Sequence, residues 1–337
     1  MSTVAMRCTE DPVVSHTDIV AAAWTTAGDA VPLEGREVSP VPLSERITAA
    51  AAAGFTGFGI VHHDLAPYLE SGGDLATLRY QLDDHGMRHV ELEFLTGWWL
   101  PAESRAASDA TLRLLVEAAE VLGARNVKIG PDIEGGPLDL DRYAAELYRV
   151  AEAFAPAGAV ACLEFMPFSN LPTLAVGAEL VRRAGHRNAG LMVDIWHLVR
   201  GGISLDELAA VPLELITGVE LDDGDAQQVG SGYEDTVLRR KLCGQGDFPV
   251  VPFAETLAEM GWGGPWGLEV ISEDYRRRPL REALADAYST TARCLERAGI
   301  QMPEPHQSDM ARSYFDQPLA RADDSGGAST PPRKLHQ

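Results

Sequence analysis

A single (β/α)8 barrel is the fold class this sequence predicts, and three observations carry that expectation. Eight short apolar runs, each close to Gly or a polar break, alternate with helical patterns. The midpoints of the runs (residues 21, 59, 92, 128, 161, 192, 218 and 268) leave seven gaps, five of them 31 to 38 residues long, which is the repeat of a β-α unit. The competing architecture, a doubly wound sheet, more often shows a Gly-rich phosphate loop after an early strand, and none follows the first two runs.

In chain order the strand candidates are 18–24 (DIVAAAW), 57–62 (GFGIVH), 89–95 (HVELEFL), 126–130 (NVKIG), 160–165 (VACLEF), 190–194 (GLMVD), 216–221 (ITGVEL) and 265–271 (PWGLEVI). Each is brief and rich in Val, Ile, Leu or Phe, as strands buried on both faces are. The first helix candidate, 43–54, has Ser44 as its N-cap and stops at Gly54. Apolar residues at three- and four-residue steps mark helices at 108–124, 139–158, 173–185 and 251–261. The barrel then fills residues 17–302. Residues 1–16 are polar and patternless. Residues 303–337 are rich in Pro, Ser, Gly and charge, too few of them apolar to offset chain entropy, and are expected to be flexible or to dock through SYFDQPL.

Composition narrows the function. Of 337 residues, 45% are hydrophobic and 23% charged, so the chain can bury a core without disulfides. A formal net charge of -22 repels phosphate backbones, which argues against nucleic acid as a partner, and favours cations. No run approaches the roughly 18 apolar residues of a membrane span, so no membrane partner is expected. The opening MSTVAMRCTEDPVV lacks the pattern of a secretory signal, and the four scattered cysteines form no CxxC pair, so a cytoplasmic location is expected.

Barrel active sites lie at the C-terminal ends of the strands. There, four consecutive runs each carry an acid: Glu164, Asp194, Glu220 and Glu269. One buried carboxylate is costly, and four together repel strongly unless a cation joins them. The quartet therefore reads as a site for one divalent metal, Mn²⁺ or Mg²⁺, which accept carboxylate oxygens. The competing reading has each acid solvated or paired with a nearby Arg or Lys.

At these residues the chain resembles the sugar-phosphate isomerase/epimerase group of xylose isomerase-like TIM barrels. The carrying segments are CLEFMPF (162–168), MVDIWHLVRGG (192–202), ITGVELDD (216–223) and GQGDFPVVPFAETLAEMGWGGPWGLEVIS (244–272). The resemblance covers residues 18–300 and implies a metal held from strands 5 to 8, here by Glu164, Asp194, Glu220 and Glu269. Glu220 stands where the family usually has His. The implied catalytic pair is Glu164 and Glu269, moving protons on carbons beside a carbonyl while the metal grips the oxygens. The implied activity is an isomerase or epimerase acting on a sugar or related polyol. Related barrels act instead as lyases on keto-inositols or cyclic hydroxy acids. Dimers and tetramers occur in the family, which leaves a homo-oligomer open. From a different class, the departure at Glu220 leaves open a non-catalytic barrel that binds a metabolite or partner.

Other residues could reach the same mouth. His197, three residues after Asp194, reads as a substrate contact or as a cap of the next turn. His62 and His63 could reach the mouth or form a surface pair. Lys128, inside an apolar strand, must meet a carboxylate or a ligand oxygen, or turn toward the helices. Trp24, Trp98, Trp99 and Trp196 lie at strand ends, where aromatics wall a sugar face or simply pack. The expected substrate contacts are His197, His62, Trp24, Lys128 and Trp98. Arg276, Arg277 and Arg278 read as an anion contact or as a salt-bridged cap.

Overall fold

The computed structural model of the chain describes residues 17–33 and 35–303. The segment 1–16 and all but the first residue of 303–337 therefore lie outside the described residues. Eight strands close into a parallel barrel in sequence order: β1 Ile19–Ala21, β2 Gly57–Val61, β3 His89–Leu95, β4 Asn126–Ile129, β5 Val160–Glu164, β6 Ala189–Asp194, β7 Ile216–Leu221 and β8 Trp266–Leu268. Each expected run holds one strand. β1 is shorter than its apolar run because the chain turns into a short helix at Ala23–Thr26, and past the end of β8 a side chain of that helix takes up the pairing. The Thr25 hydroxyl donates to the Leu268 carbonyl at 2.6 Å and accepts from the Val270 N–H at 2.9 Å.

The outer helices include Leu43–Ala53, Ala106–Leu122, Leu140–Phe154, Leu174–Ala184 and Val250–Met260, all at expected places. Gly123 ends its helix in the left-handed region, as a glycine stop requires. Asp139 and Thr173 cap theirs through side-chain oxygens. The Ser44 cap is corrected: Pro42 is the N-cap, and Ser44 lies inside the first turn. The helix therefore starts two residues before a Ser44 cap would place it. The sequence reading also passed over His62–Glu70, Leu75–Asp84 and Leu280–Arg297. The first contains Pro67 and a polar face, which blurred its period.

Small residues inside the barrel make room for long ones. A β-carbon on Gly267 of β8 would lie 2.9 Å from Glu220 Cγ and 2.7 Å from the Val219 carbonyl oxygen. One on Gly218 of β7 would lie 2.5 Å from the Met192 methyl. Glu220 takes the space beside Gly267, and Met192 and Cys162 take that beside Gly218.

Candidate metal centre and active site

Parallel register brings the four acids together. Asp194 on β6 is paired with Glu220 on β7, and Glu220 with Gly267 on β8. Glu164 ends β5, and Glu269 follows β8 directly. All four are buried, Asp194 and Glu220 completely. One oxygen from each lies within 4.8 Å of the other three. The reading in which each acid is solvated is therefore set aside.

The reading in which they pair with Lys or Arg is realised in part. Lys128 on β4 reaches across the barrel, its ammonium 2.8 Å from Glu220 Oε1, 2.6 Å from Glu269 Oε1 and 3.0 Å from Glu93 Oε2. Arg240 donates to Asp194 Oδ2 at 2.7 Å and to Asp222, and lies 3.2 Å from Glu269 Oε2. Five carboxylates (Glu93, Asp194, Glu220, Asp222 and Glu269) thus meet two fixed cations, and Glu164 lies beside them without a cation of its own among the described residues. The surplus of negative charge appears in the proton affinities. Burial and the Glu269 charge push Glu220 well above the ordinary carboxylate range, against Lys128. Burial and Asp194 do the same to Asp222. Burial raises Glu93 to about 7, with Glu269 adding to the effect and Lys128 opposing it. Burial works against the charge on Asp194, but Arg240 and His197 outweigh it and hold that acid low. Burial also opposes the Lys128 ammonium, yet the surrounding glutamates hold its pKa well above the usual lysine value.

These donors fit a hard divalent cation. Glu220 Oε2 is buried without a hydrogen-bond partner among the described residues. Glu164 makes no hydrogen bond there and meets only His197 Nε2, at 3.4 Å. A dication would satisfy both and lower the excess charge, and an all-oxygen set suits Mg²⁺ or Mn²⁺.

A cavity of about 590 Å³ opens over this cluster. Glu164, Glu269, Glu93, His197 and Arg240 form its floor side, with Trp24, Phe94, Trp99, Phe168 and Tyr233 as aromatic walls. His197 sits in the short helix Ile195–Arg200 that follows β6, edge-on to Phe168 at 5.9 Å, with its Nδ1 unpartnered. His62 opens the helix after β2 and lines the cavity with His63. Its Nδ1 accepts from the Phe94 N–H at 3.2 Å, so its proton belongs on Nε2. Burial, and then His63, lower its pKa to about 4.

Two expected substrate contacts lie elsewhere. Lys128 points inward but is covered by its carboxylates and does not line the cavity. Trp98 is fully buried and donates to the Gly130 carbonyl at 2.7 Å, while its neighbour Trp99 faces the cavity. The three arginines after β8 are salt-bridged: Arg276 to Asp29 at 2.8 Å, Arg277 to Glu273 at 2.7 Å and Arg278 to Asp286. None lines the cavity.

Sequence reasoning missed Arg240 and Asp222, and it left Glu93 between an inward and a solvated position; the side chain points inward, to Lys128. Asp223 was missed as well, and it shapes the Gly-Gln-Gly-Asp turn. Its carboxylate accepts from the N–H groups of Gly224, Gly244, Gly246 and Phe248 at 2.8–2.9 Å. A β-carbon on Gly246 would collide with the Gly224 carbonyl oxygen at 2.3 Å. Those amides are committed to Asp223, so the turn is a structural clasp rather than a phosphate cradle. The pairing of Asp223 with Lys241 through both backbone amides fixes the segment that carries Arg240. The acid pair after β7 and the Arg-Arg-Lys run before the turn were the available signals.

Comparison with known proteins agrees with this architecture. The family model described as xylose isomerase-like TIM barrel matches residues 47–297. The chain belongs to that family. A 3-dehydroshikimate dehydratase of Pseudomonas aeruginosa is 27% identical over 293 residues, covering 80% of this chain and 44% of that protein. The chain thus spans about half the length of that relative. A putative hydroxypyruvate isomerase of Streptomyces coelicolor is 27% identical over 251 residues, covering 68% of this chain and 85% of its own. Among solved structures, the IOLI protein with a zinc atom aligns with a TM-score of 0.72 at 18% identity, over 83% of this chain and 98% of that one. A D-psicose 3-epimerase with D-fructose gives 0.63 at 18% identity, over 83% and 99%. At such identities the structures show the shared fold. Among the described residues no helix is long and apolar enough to cross a membrane.

Proposed function

We propose that this family member is a metal-dependent enzyme that takes a proton from carbon next to a carbonyl in an uncharged sugar or polyol, as an isomerase or epimerase. The observation that carries the reading is the convergence of four buried carboxylates within 4.8 Å under an open cavity. Glu164, Asp194, Glu220 and Glu269 would hold one Mn²⁺ or Mg²⁺. The bound cation would polarise the substrate carbonyl and make the adjacent C–H more acidic.

The chain's own groups divide the remaining work unequally. Glu164 is free of hydrogen bonds and faces the cavity, so it is the better placed base. Glu269 is held by Lys128 at 2.6 Å and Arg240 at 3.2 Å, which orients it and occupies both of its oxygens. His62 stays neutral near pH 7 and offers Nε2–H as a donor to a substrate oxygen. The aromatic walls suit the C–H faces of a ring or an extended polyol.

The lining also bears on substrate charge. Glu37, Asp132 and Glu134 stand in the cavity wall above the floor acids. The arginine present, Arg240, is already shared among three carboxylates. Among the described residues lining the cavity, a carboxylate or phosphate substrate would find no free guanidinium, which favours neutral keto-sugars and keto-polyols over acids. The tethering of Glu269 supports a second reading, a lyase that uses Glu164 as its single base on a keto-inositol-like ring.

The test is exchange of substrate C–H for deuterium by Mn²⁺-loaded protein offered neutral ketoses, keto-inositols and matched hydroxy acids. Exchange confined to neutral compounds, with isomer or epimer formed, supports the main reading. Loss of water from the ring supports the lyase. Exchange with none of them returns the barrel to a binding role.

A further inference from the structure

Among the described residues Lys128 is the one lysine or arginine within the eight barrel strands, and its placement asks for an explanation. It crosses from β4 to the β7–β8 wall and is 1% exposed. Its three contacts, at 2.8 Å to Glu220, 2.6 Å to Glu269 and 3.0 Å to Glu93, match the three N–H donors of an ammonium. Two of these acids belong to the quartet. Glu220 is divided by the arrangement: Oε1 faces the ammonium, and Oε2 is buried with no partner. Glu269 is divided too, between Lys128 on Oε1 and Arg240 on Oε2.

We propose that Lys128 is a built-in counter-cation that competes with the metal, holding Glu220 and Glu269 together without a dication and limiting how tightly one binds. The inference rests on the metal reading above. The reasoning is electrostatic. Without Lys128, Glu220 would be buried with neither oxygen paired, and Glu269 and Glu93 would keep only Arg240 and the Ala23 N–H against their mutual repulsion, which is strongly destabilising. A dication arriving at those oxygens relieves the same repulsion, so it and the ammonium do overlapping work. The ammonium also repels the dication at short range in a poorly screened interior. Lys128 therefore stabilises the metal-free barrel more than the loaded one. By linkage, it weakens metal affinity.

The experiment compares wild type, Lys128→Met, Glu220→Gln and the double variant. Each is stripped with chelator, melted with and without Mn²⁺, and titrated with Mn²⁺ in a calorimeter. Metal-free Lys128→Met should melt well below wild type and regain most of the loss with saturating Mn²⁺. Its Mn²⁺ affinity should be higher by about tenfold or more. The double variant removes one cation and one anion, so metal-free it should melt above Lys128→Met. If Lys128→Met folds only when refolded with Mn²⁺, the double variant still reports the pairing.

Mn²⁺ affinity in Lys128→Met that is unchanged or weaker, with the melting loss persisting in Mn²⁺, would make Lys128 a packing residue and overturn the inference alone. A double variant that melts below both single ones would also overturn it. Absence of Mn²⁺ binding in every form overturns the metal reading and this inference with it.

Discussion

Gly267→Ala probes how the barrel makes space for its central carboxylate. The added β-carbon would stand 2.7 Å from the Val219 carbonyl oxygen and 2.9 Å from Glu220 Cγ. Neither neighbour yields cheaply. The first is backbone in the β7–β8 ladder, and the second belongs to a side chain held at its tip by Lys128 at 2.8 Å. Either the strands part or Glu220 swings away from the other acids. Overpacking of this kind costs about 1–3 kcal/mol. At about 1.4 °C per kcal/mol for a chain of 337 residues, melting should fall by about 1–4 °C. Displacing a ligand through its support should weaken Mn²⁺ binding about 10–100-fold. Gly263→Ala is the control, since a β-carbon there meets nothing within 4 Å. Differential scanning calorimetry and Mn²⁺ titration on both variants decide the matter. If Gly267→Ala melts and binds metal as Gly263→Ala does, the close approach does not position Glu220 and the reasoning fails.

Further outcomes follow from the same geometry. Glu164→Gln should lower proton exchange by about 10²–10⁴-fold while changing the melting temperature little, because Glu164 makes no hydrogen bond among the described residues; a loss below tenfold would assign the base elsewhere. Asp223→Ala strips the acceptor from four backbone N–H groups and should cost about 2–4 kcal/mol by urea denaturation, with substrate affinity falling as the Arg240 segment loosens. Trp99→Ala should raise KM, whereas Trp98→Phe should leave KM alone and cost about 1 kcal/mol for its hydrogen bond to Gly130. His62, with a folded pKa of about 4 against 6.5 for an ordinary histidine, binds fewer protons folded than unfolded between those values. Its contribution to stability is therefore fully present above pH 6.5 and is lost as pH falls toward 4. His62→Gln should flatten the rise of melting temperature across that interval, and an unchanged slope would place the titration elsewhere.

The parts of the fold legible in the sequence were those written in local pattern. The runs around residues 92 and 192 are apolar, short and bounded, so β3 and β6 lie where the pattern put them. The helices ending at Gly54 and Gly123 were marked by their stops. Pro42 rather than Ser44 is the cap, without a side-chain hydrogen bond, so the hydroxyl was a false signal there. The four acids were visible because an ionisable residue at the end of an apolar strand is costly and must be answered. What answers them was less visible. Arg240 and Asp222 come from the segment after β7, and their partners are fixed by closure of the barrel, which no local window contains. Trp98 and Trp99 are adjacent, and only the path of the loop decides which one faces the cavity. Lys128 was expected to point inward, but its target depended on residues 92 and 141 positions away.

The most direct test of the central claim, that Glu164, Asp194, Glu220 and Glu269 form one divalent-metal site, is calorimetric titration of Mn²⁺ into chelator-treated wild type beside Glu220→Gln. The account predicts one ion per chain in wild type and clearly weaker binding in the variant. Equal affinity in the two proteins, or no binding to wild type, would contradict it.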